Sequence, residues 1–161
     1  MLAEIGTMKV RSRSATRVVV AMGPATAVAG WAALAVALYA AFALVSISRL
    51  LAGVACAVAA GAWLVASARH RLEFDRTDGV LRIERRIAGL GTRAVVPLFH
   101  LRAVVVRRRR GGDGFVAALE RRNGDPIVID SGDRAAPLYE LVRTIAEVTD
   151  LRLVYDTTAA S

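Results

Sequence analysis

Lysine and cysteine occur once each among 161 residues and histidine twice, and each scarcity removes a class of chemistry. The single cysteine, Cys56, forms no disulfide within the chain and supplies no ligand pair for a metal. His70 and His100 have no cysteine pair or tight carboxylate cluster at ligand spacing, and no Ser-His-acid or Cys-His pattern marks a nucleophile with its base. Gly111-Gly112-Asp113-Gly114 lacks the Lys-Ser/Thr ending of a phosphate loop. No catalytic, cofactor-binding or metal-binding residue is therefore assigned, no cofactor is expected, and the chain is read as a non-enzyme. Arginine outnumbers lysine 21 to 1, which with the richness in Ala and Val points to a high-GC genome.

The longest absence is of charge. Residues 18–68 carry one charged side chain, Arg49. A hydrocarbon core of about 30 Å needs roughly 20 apolar residues of helix, and the run supplies that length on each side of Arg49. Backbone groups in lipid must be satisfied within their own segment, so each half is expected to be helical, with Ser46-Ile47-Ser48-Arg49 as a turn reached by water or headgroups. Gly23-Pro24 marks the first start, because proline is tolerated in an opening turn. The spans are placed at 24–45 and 50–68, with Trp31 and Trp63 at one common interface. A cleaved signal peptide is the rival reading, but only five apolar residues precede Ala25-Thr26-Ala27, fewer than a signal core needs. Small residues recur at every fourth position, as Ala25, Ala29, Ala33, Ala37 and Ala41 and as Gly53, Ala57 and Gly61. Gly53, Ala57 and Gly61 are the candidate helix-packing residues, toward the first span or a neighbouring subunit. With no charge inside either span, a proton path or ion channel has nothing to work with.

Of the eight net positive charges, three lie in 1–17, one is Arg49 and four belong to 69–161. Basic residues beside spans report insertion topology, which is favoured here over nucleic-acid binding. Four basic residues precede the first span and Arg69, His70 and Arg71 follow the second, so both termini are expected in the cytoplasm. Residues 1–17 show no apolar period and are expected to be a frayed basic tail, within which Met8 is an alternative start.

From Arg71 the period becomes two. Leu72 and Phe74 alternate with Glu73 and Asp75, Asp78-Gly79 supplies a tight turn, and Leu81 and Ile83 alternate with Arg82 and Glu84. Gly89-Leu90-Gly91 is read as the next turn, 92–98 as a third strand that Pro97 marks as an edge or a strand end, and 101–109 as a fourth. A second hairpin surrounds Asn123-Gly124, with Phe115, Ala117, Leu119, Ile127 and Ile129 facing inward. Leu138, Leu141, Val142, Ile145 and Val148 then recur at helical spacing, with Pro137 in the first turn and Asp133 as cap. Residues 151–155 are apolar enough to lie back on the domain, and 157–161 are expected to be disordered.

The phrases Phe74-Asp75-Arg76-Thr77-Asp78-Gly79-Val80-Leu81, Val96-Pro97-Leu98, Asn123-Gly124-Asp125 and Gly132-Asp133-Arg134-Ala135 resemble bacterial membrane proteins with a pleckstrin-homology-like (PH-like) domain. The resemblance covers 69–156. It implies an α+β membrane protein: a two-helix transmembrane hairpin (18–68) followed by a small antiparallel PH-like β-barrel (69–156) capped by one C-terminal helix, in the bacterial inner membrane. Six strands are counted before the helix where that fold has seven. The loop Arg76-Thr77-Asp78-Gly79 is short and charge-balanced, so phosphoinositide binding is not carried over.

The run Arg107, Arg108, Arg109 and Arg110 is the candidate contact for an acidic partner or anionic lipid. A solvated strand end that discourages edge pairing is the reading favoured over it. The function expected is a non-enzymatic membrane-anchored binding or scaffold protein, an accessory or assembly subunit of a larger membrane complex. Its partners would be membrane lipids and other membrane-protein subunits or further copies of itself, not nucleic acid. The alternative is a peripheral module that senses anionic lipid through its Arg clusters. The basic-residue asymmetry predicts that a reporter fused after Ser161 behaves as cytoplasmic in a topology assay; periplasmic activity would reverse the orientation.

Overall fold

The computed structural model runs β1 (Met8–Arg13), β2 (Arg17–Met22), α1 (Pro24–Leu44), α2 (Arg49–Ser67), β3 (Arg69–Asp75), β4 (Val80–Ile87), β5 (Leu90–Pro97), β6 (Leu101–Arg108), β7 (Phe115–Arg121), β8 (Ile127–Gly132), α3 (Ala135–Thr149) and β9 (Arg152–Asp156). It describes residues 8–109 and 113–156. The expectations for 1–7, for Arg110, Gly111 and Gly112, and for the 157–161 tail lie outside the described residues.

Two helices long and apolar enough to cross a membrane, α1 and α2, meet at residues 45–48, one residue earlier than the expected Ser46-Ile47-Ser48-Arg49 turn, because Arg49 opens α2. Pro24 opens α1, and the Ser48 hydroxyl caps α2 by accepting the Leu51 N–H. Only 17% of each apolar stretch is buried, so neither is a core helix of the β domain. They touch along Gly30, Ala37 and Ala41 on α1 and Ala52, Ala59 and Ala66 on α2, the buried positions of each. A Cβ built on Gly30 would stand 2.8 Å from the Ala66 Cα, so the backbones meet where only glycine fits. Gly30 to Ala37 and Ala52 to Ala59 to Ala66 are steps of seven, the repeat that keeps a seam facing its partner along two helices.

The stretch expected to be a frayed tail is folded over its described part. β1 pairs antiparallel with β2, and β2 pairs with β3 across the whole helical hairpin, from Ala21↔Arg71 to Arg17↔Asp75. The expected hairpin boundary at residue 18 therefore moves to Pro24. Val18, Val19 and Val20 are all buried, and a strand covered on both faces has the same continuous apolar pattern as the start of a span. β1 lacks clean alternation because its register shifts between Val10 and Ser12, which a bulge at Arg11 explains.

The strands make a five-stranded antiparallel sheet, β1-β2-β3-β4-β5, and a four-stranded mixed sheet, β8-β7-β6-β9. The expected barrel is corrected: among the described residues no ladder joins the two sheets, because β5 leaves its own at Pro97 through a 3-10 turn and β6 begins the next. The turn into β5 is also one residue earlier than expected. Ile87 pairs with Leu90, and Ala88 and Gly89 carry positive φ of 52° and 82°, the mirror-image turn that suits a two-residue hairpin. Of Asp78-Gly79, only Gly79 takes positive φ. Residues 152–156 form a strand parallel to β6, a pairing that needs a crossover, here α3.

The core lies among three layers. Val18, Val20, Leu72, Phe74, Leu81 and Ile83 come from the first sheet, Val104, Val106, Ala117, Leu119 and Ile129 from the second, and Leu138, Leu141, Val142, Ile145 and Val148 from α3. All five helix positions read from the periodicity are buried, and Phe115 and Ile127 pack at the margin. Asp133 is not the cap; Arg134 holds that position with no side-chain bond. Leu141 is 5% exposed, so Leu141→Ala should remove buried volume and cost about 2 to 5 kcal/mol, read as a lower unfolding midpoint of the full chain in detergent. An unchanged midpoint would mean that α3 does not hold the sheets together.

Candidate functional site

The pairing registers give the β domain a polarity. Gly23 and Ala68 tie the helices to the end where β2 finishes and β3 begins, and the Ala88 N–H in the β4–β5 turn donates to the Ser67 hydroxyl at 3.1 Å. At the same end Met8 pairs with Met22, and its N–H donates 2.6 Å to the Asp130 carboxylate of β8. Asp130 pairs with Ala117, and Ala117 with Val106. Arg107 and Arg108 follow Val106, so the arginine run projects at the helix-bearing end. The opposite end carries the Ser14-Ala15-Thr16 and Arg76–Gly79 connections, with ion pairs Arg13–Glu147 at 2.9 Å and Arg76–Asp150 at 3.5 Å.

Along the run the side chains differ. Arg107 is half-buried, Arg108 is exposed 3.7 Å from Asp113, and Arg109 is exposed. Nearby on the first sheet, Arg85 and Arg86 are exposed, and the nearest acid to Arg86 is Glu84 at 4.0 Å. The Arg69 guanidinium donates to the Ala66 and Ala68 carbonyls at the end of α2. Sequence spacing separates these groups; the registers bring them to one end.

The outer face of the first sheet is a charge lattice. Glu73, largely covered, accepts from Arg17 on β2, from Arg71 at 3.1 Å and from Arg82 on β4 at 3.2 Å. Arg82 also bonds Asp78, which raises its pKa. Arg93 on β5 bonds Glu84 and holds that carboxyl below its usual range. Beside this lattice a cleft of about 390 Å³ is lined by Arg11, Arg17, Arg71, Ser12 and Ser14 over Val19 and Ala21. Two of its three arginines are already engaged by Glu73.

β5 is the strand expected at 92–98, with Pro97 as the mark of an edge or a strand end, and its exposure is what the sequence does not show. It is the last strand of its sheet, and Leu90 through Val95 are all exposed. Its pairs alternate between hydrogen-bonded and non-bonded from the turn outward. With Ile87↔Leu90 bonded as the two-residue turn requires, Gly91, Arg93 and Val95 direct their N–H groups to the open edge. Pro97 falls in the same outward set, where a missing N–H breaks no ladder bond. That proline was the one sequence signal of an edge.

Gly53, Ala57 and Gly61 do not face α1. All three are exposed, and a Cβ on Gly53 or Gly61 meets nothing within 4 Å. A row at spacing four drifts around a helix of 3.6 residues per turn, whereas the seam at Ala52, Ala59 and Ala66 does not. Among the described residues no cluster of three His, Cys, Asp or Glu is arranged to hold a metal. No family model matches the chain, and no curated protein matches it.

Besides Glu73, two titratable groups are buried among the described residues, Asp130 and His70. Asp130, 1% exposed, accepts from Met8 and Ser131, while burial raises its pKa. His70 is 7% exposed with Nε2 unpartnered, and its pKa is lowered to about 4 by burial and then by Arg85. The fold therefore favours neutral imidazole. As pH falls from about 6.5 to about 4 the unfolded chain takes up the proton first, and about 2 to 3 kcal/mol of stability is lost across that window. Asp130 acts with the opposite sign, so the measure is the difference between variants: His70→Leu should flatten the pH dependence of the unfolding midpoint in that window, and an unchanged slope would assign it elsewhere.

Proposed function

We propose that α1 and α2 cross a bacterial cytoplasmic membrane as a hairpin with both termini in the cytoplasm, and that the β domain is a PH-like, non-enzymatic binding module. It serves as an accessory or scaffold subunit of a larger membrane complex. The apolar, largely exposed surface of the helices, charged only at Arg49 where α2 begins, supports the anchoring, since a contiguous patch of that extent is unusual on a soluble monomer. The small-residue seam and the charges gathered where the helices leave the sheet support it too.

The single observation that carries the binding role is β5. It offers the outward N–H groups of Gly91, Arg93 and Val95 on a strand whose side chains are exposed from Leu90 to Val95. An extended segment added antiparallel to that edge gains main-chain hydrogen bonds, and alternate side chains give selectivity. Antiparallel pairing of β5 with itself would require an inverted second copy. Two copies held by their helices in one orientation are poorly placed for that, so the added strand is taken to come from a different protein.

The test is the full chain purified in mild detergent with its co-purifying subunit. Amide exchange at Gly91, Arg93 and Val95 should slow when the subunit is present. Val95→Pro removes one outward N–H without touching the β4 ladder, and should lower capture by about two- to tenfold, the loss of one interfacial hydrogen bond, with the unfolding midpoint held. Capture unaffected by Val95→Pro together with unchanged exchange would remove β5 as the binding edge.

A further inference from the structure

The helix-bearing end carries Lys9, Arg69, Arg85, Arg86, Arg107 and Arg108, brought together from β1, β3, β4 and β6. The acids at this end are Asp130, buried and bonded to the Met8 and Ser131 N–H groups, Asp113 and Asp133 beside the ends of β7 and β8, and Asp156, in register with Arg107; Glu84, one step further in, is taken by Arg93. Between the two arginine groups of the first sheet the β4–β5 turn ends in Leu90, which is 82% exposed. That turn is held beside the last residue of α2 by the Ala88 to Ser67 hydrogen bond. Leu90, the first residue after this tight turn and next to a helix end, shares its sheet face with Arg85 while Arg86 lies on the opposite face of the same hairpin, so the hairpin end combines an apolar plug with a cationic rim. Long arginine side chains can lay their stems on an apolar boundary while the guanidinium groups reach phosphate.

We infer that this end of the domain docks on the anionic headgroups of the bilayer that its own helices cross, with Leu90 inserted at the interface and the arginines of β3, β4 and β6 on lipid phosphates. The inference rests on the membrane-spanning reading and goes beyond it: anchoring requires two spans, whereas docking requires anionic lipid and sets the height and tilt of the whole sheet, β5 included. Its charge dependence follows from the physics. A basic side chain near an anionic leaflet gains about 1 kcal/mol, or about fivefold in the docked-to-undocked ratio, and the gain fades with salt.

The experiment uses the full chain in nanodiscs, with Cys56→Ser and one new cysteine carrying an environment-sensitive fluorophore, quenched by spin-labelled lipid. A probe at Leu90→Cys should be quenched in discs containing anionic phosphatidylglycerol and much less in phosphatidylcholine or at high salt. Arg85→Gln with Arg86→Gln, or Arg107→Gln with Arg108→Gln, should each lower the docked ratio by roughly 25-fold, two residues at fivefold apiece. A probe at Val36→Cys, on the exposed surface of α1, reports the spans independently, and one at Asp78→Cys at the far end should stay unquenched. Quenching at residue 36 without quenching at residue 90 overturns the docking while leaving the anchor intact. Equal quenching at residue 90 in both lipids overturns the electrostatic part, and no quenching at residue 36 overturns the membrane-spanning reading itself.

Discussion

The pairing of β2 with β3 is the constraint on which the rest of the structure depends. It closes the first sheet across the entire helical hairpin, so the two helices must leave the sheet from neighbouring strands. Adjacent strands lie about 4.8 Å apart, whereas helix axes ordinarily lie 8 to 10 Å apart. The helices can start that close only if little side chain stands between them. Gly30 against Ala66, at the helix ends nearest the sheet, is what allows it. The same pairing fixes the ions: Arg17, before the hairpin, and Arg71 and Arg82, after it, converge on Glu73, which unites strands on both sides of the insertion.

This arrangement makes the helices part of the domain instead of a tether beside it. A chain segment beginning at Arg69 would lack β1 and β2, and with them Val18 and Val20 of the core and the Met8 hydrogen bond to Asp130. The β domain and the hairpin therefore form one folding problem. The four edges of the two sheets are treated unequally. β1 and β8 are tied to one another through Met8 and Asp130, although β1 is exposed from Lys9 to Arg13; β9 lies parallel to β6 at the end of the α3 crossover, and β5 is exposed from Leu90 to Val95. The open edge and the basic end meet at Leu90, so a partner strand on β5 and a lipid surface at the helix-bearing end would be sensed by one hairpin.

Much of the fold is legible in the sequence because it depends on local pattern. The two apolar helices are legible from the length of their uncharged runs on either side of Arg49, and the strands from Leu72 to Ile129 and the buried row of α3 from repeats of 2 or 3.6 residues, and such signals survive without knowledge of the neighbours. The arginine run is equally plain as composition. Its meaning is not, since charge reads the same on a solvated strand end as against a lipid surface.

What the sequence by itself determined is therefore the inventory: two apolar helices long enough to span a membrane, a β domain of mostly antiparallel strands, and one amphipathic closing helix. Tertiary structure alone decided that the hairpin is inserted within the sheet, that the seam uses Gly30 and Ala66 and leaves Gly53, Ala57 and Gly61 outside, that the sheets do not close into a barrel, and that β5 is left open. The reason is common to all four. Each depends on which strand pairs with which across a long sequence separation, and β2 conceals its pairing because a strand buried on both faces, like a membrane span, is simply a run of valines.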